Sequence, residues 1–289
     1  MAGVGTLAVV FLSGCPVSEL APRVNPGGPD LLAHDDWVYL SIGSDEACGL
    51  RGEGGDELYC NGTLVSSQPA SRPDFGSDGG CFGRPGGEAT CFTGVREDVL
   101  EEVAGFGVGN THRDYCVSKP DGRLLCDSTL DAEWAVDEPL ASLVVVSPAS
   151  VCGITEAGTL RCFTETEPLP IPEVLQGPGV VAQLDAIRED ACALTTSGEL
   201  HCWTVSDPSS TTSIPGVWRQ FEVERRLFDQ GEVGCGVTES GGVSCWEFGG
   251  EPEALDLEPA VQVATSPGWG AALHEDGSVS IFEWDALPL

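Results

Sequence analysis

Basic residues are scarce: Lys and Arg total 13 against 46 Asp and Glu, leaving a net charge of −33 over 289 residues. Such a surface repels a nucleic-acid duplex, whose affinity for proteins comes largely from Lys and Arg displacing counterions, so nucleic acid is excluded as a partner. Histidine is rare too, limited to His34, His112, His201 and His274. No G-x-S-x-G elbow, H-E-x-x-H helix, G-x-x-x-x-G-K-[ST] loop or EF-hand spacing occurs. No catalytic residue, metal site or cofactor is therefore expected. The apolar run Met1 to Leu12 is too short to span a bilayer as a helix.

That run fits the core of a secretory signal instead. It ends in Leu12-Ser13-Gly14-Cys15, which resembles the lipobox of bacterial lipoproteins, although the usual Lys or Arg near the start is absent. The resemblance implies a signal peptide over 1–14, cut before a Cys15 that carries a diacylglycerol. Residues 15–36, with Pro16, Pro22, Pro26 and Pro29, then read as the lipidated cysteine and an extended tether, and 37–289 as a single folded domain. The expected location is a bacterial outer membrane or cell surface, with the bilayer touched only through the lipid.

Twelve cysteines remain, in six successive pairs: Cys48/Cys60, Cys81/Cys91, Cys116/Cys126, Cys152/Cys162, Cys192/Cys202 and Cys235/Cys245. Five pairs read C-x9-C and the first C-x11-C, with Gly87, Gly122, Gly158, Gly198 or Gly241 four residues before the second cysteine and Asp56 in the first unit. The stretch Ala271 to Phe282 has the same form with Ala271 and Ile281 in the cysteine positions, making seven units. First positions lie 33, 35, 36, 40, 43 and 36 residues apart, a period of propeller blades or solenoids.

Folding Cys152 to Cys162 about Ala157 leaves the three-residue loop Glu156-Ala157-Gly158, with glycine where a type I turn plus bulge needs positive φ. Cys152 then faces Cys162 in a non-hydrogen-bonded pair, close enough for a cross-strand disulfide, and both share a face with Ile154 and Leu160. The opposite face begins with a small residue (Gly49, Gly153, Ala193, Gly236, Ala272), leaving room for a neighbouring blade. Zinc ligands favour gaps of two to four residues, so structural disulfides are the better reading. β-Rich runs Trp37–Ile42, Leu143–Val146 and Val261–Ala264 precede the pairs, and proline-bearing segments such as 167–172 follow as outer edge strands. Arg96 to Gly105 reads as a helical insertion, and Ala286–Leu289 as the last outer strand. Because one hairpin cannot bury its face alone, the expectation is an all-β, seven-bladed propeller with a hairpin disulfide in six blades.

The pattern [small]-C-[AG]-[LIV]-x-x-x-G-x-[LV]-x-C-[WF] resembles the regulator of chromosome condensation repeat family, in a cysteine-rich bacterial exported form, over residues 37–289. That family includes an activator of a small GTPase on chromatin and a secreted bacterial inhibitor of β-lactamases, and no motif here transfers either role. The remaining expectation is a monomeric, non-enzymatic scaffold for an unidentified protein or glycan. The alternatives are an inhibitor of a secreted enzyme or an envelope hydrolase or lyase. Acidic clusters Glu97-Asp98-Glu101-Glu102, Asp131-Glu133-Asp137-Glu138 and Glu247-Glu251-Glu253-Asp256-Glu258 are placed on loops or outer strands.

Overall fold

A computed structural model describes residues 35–283 except 43–46, 53–54, 62, 68–69, 76–78, 85, 94–95, 110–114, 127–132, 137, 148 and 226–230. The signal over 1–14, Cys15, the tether up to His34, His112 and the tail Ala286–Leu289 lie outside the described residues.

Seven antiparallel meanders follow one another along the chain. Blade 1 comprises Trp37–Ile42, Ala47–Arg51, Glu57–Cys60 and Thr63–Ser66; blade 2, Ser71–Phe75, Gly79–Arg84, Glu88–Thr93 and Arg96–Leu100. Blade 3 runs through Gly105–Val108, Tyr115–Ser118, Arg123–Cys126 and Glu133–Ala135; blade 4 through Leu140–Ser147, Ser150–Thr155, Leu160–Thr164 and Pro168–Leu169. Blade 5 holds Val181–Ile187, Asp190–Thr195, Leu200–Thr204 and Asp207–Ile214; blade 6, Trp218–Arg225, Glu232–Thr238, Val243–Glu247 and Glu253–Ala254. Blade 7 has three strands among the described residues, Ala260–Ser266, Trp269–His274 and Val279–Glu283. First strands of successive blades pack side by side, and that of blade 7 packs on that of blade 1, so the ring is closed.

The repeat geometry follows the turn chemistry. Thr155 N–H donates to Thr159 O at 3.0 Å, Gly158 N–H to Thr155 O at 2.9 Å, and Gly158 has φ 72°. Cys152 consequently pairs with Cys162 and Ile154 with Leu160. All six cysteine couples are disulfide-bonded, with Cα atoms 4.0–4.1 Å apart, as a non-hydrogen-bonded pair requires. In blade 7, Ala271 and Ile281 occupy that register.

Hydrophobic clusters lie between blades. One joins Cys152, Ile154, Leu160 and Cys162 of blade 4 to Val181, Leu184, Ala191 and Trp203 of blade 5. A propeller buries each hairpin face only through its neighbour, which is why no blade folds by itself.

Two sequence expectations change. Arg96–Leu100 is the fourth strand of blade 2, pairing Ala89 with Leu100 and Thr93 with Arg96, and not a helical insertion. An outermost strand faces solvent with half its residues, so Glu97 and Val99 stand exposed and its charge content misleads. Second, the small residue after the first cysteine makes room mainly for its own blade. A methyl group on Gly49 would come within 2.6 Å of the Trp37 ring, on Gly153 within 2.6 Å of Leu140, and on Gly236 within 2.8 Å of Trp218.

Candidate functional site: the central channel

The first strand of most blades carries a β-bulge, between Trp37/Tyr39, Leu140/Ser142, Val181/Gln183, Trp218/Gln220 and Ala260/Gln262. A bulge re-aims the side chain that follows it. In blades 5, 6 and 7 that residue is glutamine, and each reaches the main chain of the next blade. Gln183 accepts from Phe221 N–H at 3.3 Å and donates to Phe221 O at 2.5 Å. Gln220 accepts from Val263 N–H at 2.8 Å and donates to Val263 O at 3.0 Å. Gln262 accepts from Leu40 N–H at 3.0 Å and donates to Leu40 O at 2.7 Å, joining the last blade to the first.

A second rung of side chains is acidic. Asp185, two residues beyond Gln183, accepts from Val223 N–H at 2.8 Å, and Glu222, two beyond Gln220, accepts from Thr265 N–H at 2.8 Å. Asp74 does the same in blade 2, taking Val108 N–H at 2.9 Å. Alternate residues of a strand share a face, so amide and carboxylate together imitate the edge of a strand toward the next blade.

These rungs wall a channel of about 750 Å³, which Glu88, Glu224, Arg84 and Arg219 also line. The three carboxylates keep partial access to the channel, yet protein surrounds them on every side. That enclosure dominates their titration. Loss of solvation raises Asp185 to about 7 and Asp74 to about 6, against the lowering pull of their backbone N–H partners. Glu222 is raised well above its ordinary value by the same burial, reinforced by the charge of Asp185.

None of these amide and carboxylate side chains was singled out as a site in the sequence. The signal available was the Gln-x-acid order of Gln183-Leu184-Asp185 and Gln220-Phe221-Glu222 in strands that precede a cysteine pair. The two described histidines, His201 and His274, lie elsewhere. His201 Nδ1 meets Ser213 Oγ at 3.0 Å, and burial pushes its pKa down. His274 bridges Pro259 O at 2.9 Å and Ser280 Oγ at 2.7 Å. Neither lines the channel. Among the described residues, no three His, Cys, Asp or Glu side chains stand together as metal ligands.

Fold and channel define a seven-bladed β-propeller, six of whose blades are stapled at their central hairpins. No protein-family model matches the chain, and no curated protein matches it in sequence. Solved propellers do match in shape. The CRINKLY WD40 ectodomain of the Arabidopsis thaliana receptor kinase ACR4 aligns with TM-score 0.61 at 12% identity, over 86% of this chain and 96% of that one. The Cps50 (Swd1) β-propeller domain of Myceliophteria thermophila aligns with TM-score 0.59 at 13% identity, over 86% and 97%. BBS1N, solved in complex with ARL6DN, aligns with TM-score 0.61 at 10% identity, over 84% and 88%. Likeness at such identities concerns the fold alone.

Proposed function

We propose that the chain is an exported, lipid-anchored, monomeric β-propeller that serves as a binding scaffold at a bacterial cell envelope, built from repeats of the regulator of chromosome condensation type. The observation that carries the reading is the set of six hairpin disulfides that take up every cysteine after Cys15. Cystines in such number persist in oxidising compartments outside the cytosol. Leu12-Ser13-Gly14-Cys15 supports the lipid on Cys15. A cross-linked ring with loops at both ends of a channel supports binding, because rigid scaffolds present loops at little entropic cost. Unpaired acidity favours a protein carrying basic side chains over a neutral glycan.

Two experiments test this. Cys15→Ser releases the protein from the membrane fraction, and unchanged fractionation removes the anchor. Affinity capture from envelope extracts compares the chain with an Asp185→Asn/Glu222→Gln variant. A partner retained by the first and lost by the second supports the scaffold reading, whereas no enrichment over the variant counts against it.

A further inference from the structure

Polar side chains line the channel in levels, and strand pairing fixes their order. Asp74, Asp185 and Glu222 stand opposite the first cysteines of their blades, Cys81, Cys192 and Cys235. Gln183, Gln220 and Gln262 lie further toward the turn that joins the second and third strands, opposite Leu194, Val237 and Leu273. Arg84 and Arg219 come last. Arg84 closes the second strand of blade 2, three residues beyond Cys81. Arg219 sits in the bulge between Trp218 and Gln220, which face Thr238 and Val237. The channel therefore runs from carboxylate through amide to guanidinium, with both arginines at one mouth, on the walls of blades 2 and 6.

Unpaired arginines are unexpected in a chain of 46 acids and 13 bases. Arg51, Arg123 and Arg161 each hold a carboxylate, of Asp36, Asp121 and Glu138, at 2.7, 2.7 and 3.1 Å. Among the described residues, no hydrogen-bond or ion-pair partner reaches Arg84 or Arg219. Glu88 faces Arg84 across the hairpin, yet the two form no ion pair. Arg84 Nε is buried and donates to nothing, while its guanidinium carbon lies 5.4 Å from the Phe82 ring centroid, a contact that restrains the fork. Buried donors are ordinarily satisfied, and one that lines a cavity finds its acceptor in what enters.

We infer that this mouth receives the C-terminal end of a polypeptide whose last residue is lysine or arginine. Its carboxylate lies on Arg84, with Arg219 as a second cation on another wall, and its basic side chain reaches down to the carboxylate level. The inference deepens the scaffold reading and rests on it. A guanidinium meets a carboxylate through two parallel N–H donors, which suits a chain end. From Arg219 to Glu222, and from Arg84 to the level of Asp74, is three residues, roughly 10 Å along a strand. One extended lysine side chain with a hydrogen bond at its tip covers that interval. Charge selects the ligand. A plain anion meets Asp74, Asp185 and Glu222 below the mouth, and a plain cation meets the arginines on entry. A ligand with its acid outward and its base inward avoids both conflicts.

The probe is N-acetyl-glycyl-lysine with a free carboxylate, titrated into the full chain carrying Cys15→Ser, beside its C-terminal amide and N-acetyl-glycyl-norleucine. The free acid is expected to bind about ten-fold more tightly than the amide, as one charge-assisted pair allows. It should also shift the NMR resonance of the Arg84 Nε–H. Arg219→Gln, at an exposed position, narrows the gap between acid and amide, and Arg84→Gln abolishes it. Arg123→Gln, on an arginine already held by Asp121, leaves the gap unchanged. Should Arg84→Gln prevent folding, Arg219→Gln and the resonance shift decide without it. Equal affinity for acid and amide, a still Arg84 Nε–H, or no binding of the acid at millimolar concentration overturns the carboxylate site. Norleucine binding as tightly as lysine overturns the inward base. Each of these failures leaves the scaffold reading standing while an envelope partner is still captured through Asp185 and Glu222. A clear gap between acid and amide without such capture supports the site and counts against the scaffold reading.

Discussion

At the scale of single residues, the repeat signature is a packing code between the two strands of the hairpin. The small residue before the first cysteine faces the aromatic after the second, as in Gly234↔Trp246, Ala191↔Trp203 and Gly270↔Phe282. A methyl group on Gly270 would come within 2.5 Å of the Phe282 ring, and one on Gly234 would strike the Trp246 ring. Gly234→Ala is therefore expected to destabilise by about 1–3 kcal/mol through overpacking, measured as a fall in urea midpoint. Gln262 makes a harsher test. Gln262→Met keeps length and bulk but strands the buried Leu40 N–H and C=O, each worth about 1–3 kcal/mol when unpaired. Its loss should exceed that of Gln176→Met, a surface control, and equal stabilities would refute the ring-closing role. The glycines of the turns were legible because backbone sterics tie glycine to positive φ. Gln183, Gln220 and Gln262 were not, because a polar residue on a first strand reads as surface until a bulge turns it toward the next blade.

Hairpins are the elements that the sequence announces most clearly, since nine residues between cysteines leave one turn that closes the pair. Register, disulfides and the seventh, cysteine-free unit all followed from that count. Outer strands carried no comparable constraint, and the run from Arg96 to Gly105, which holds the outer strand Arg96–Leu100, looked helical by its charge and spacing. Exposure separates the staples from each other. Both sulfurs of Cys81–Cys91, Cys152–Cys162, Cys192–Cys202 and Cys235–Cys245 belong to buried residues, whereas Cys60 and Cys126 are partly exposed. Under native conditions with a mild thiol reductant, Cys48–Cys60 and Cys116–Cys126 are expected to open first, seen by alkylation and peptide mapping. Simultaneous loss of all six would mean that reduction follows global unfolding. Replacing one buried staple, as in Cys192→Ala/Cys202→Ala, should cost about 2–3 kcal/mol by the loop-entropy argument for a ten-residue loop. A loss near zero would show that packing between blades already confines the hairpin.

The whole molecule joins these scales through charge. Net charge is −33, and the ring gathers Asp74, Asp185 and Glu222 in one enclosed channel. Their affinities for protons are raised by burial, Asp74 to about 6 and Asp185 to about 7, with Glu222 also well above its ordinary value. Unfolded carboxyls titrate near pH 4, so between about pH 4 and 7 the folded chain binds more protons than the unfolded one. Linkage then makes stability fall as pH rises through that window, at most about 1.4 kcal/mol per pH unit for each whole proton. This is the reverse of ordinary acid denaturation, and self-repulsion of the acidic surface acts in the same direction. Asp185→Asn separates the two contributions, with exposed Asp256→Asn as a control that removes the same charge from the surface. Urea unfolding from pH 5 to 8 should show a shallower decline for Asp185→Asn, so that its stability relative to the parent improves toward pH 8. Identical slopes for the two variants would mean that the channel carboxylates titrate like surface ones. Binding is expected to run the other way. Deprotonation deepens the negative potential of the channel, so a basic partner that occupies it should bind more tightly at pH 8 than at pH 5.5, and that gain should shrink in Asp185→Asn while surviving in Asp256→Asn.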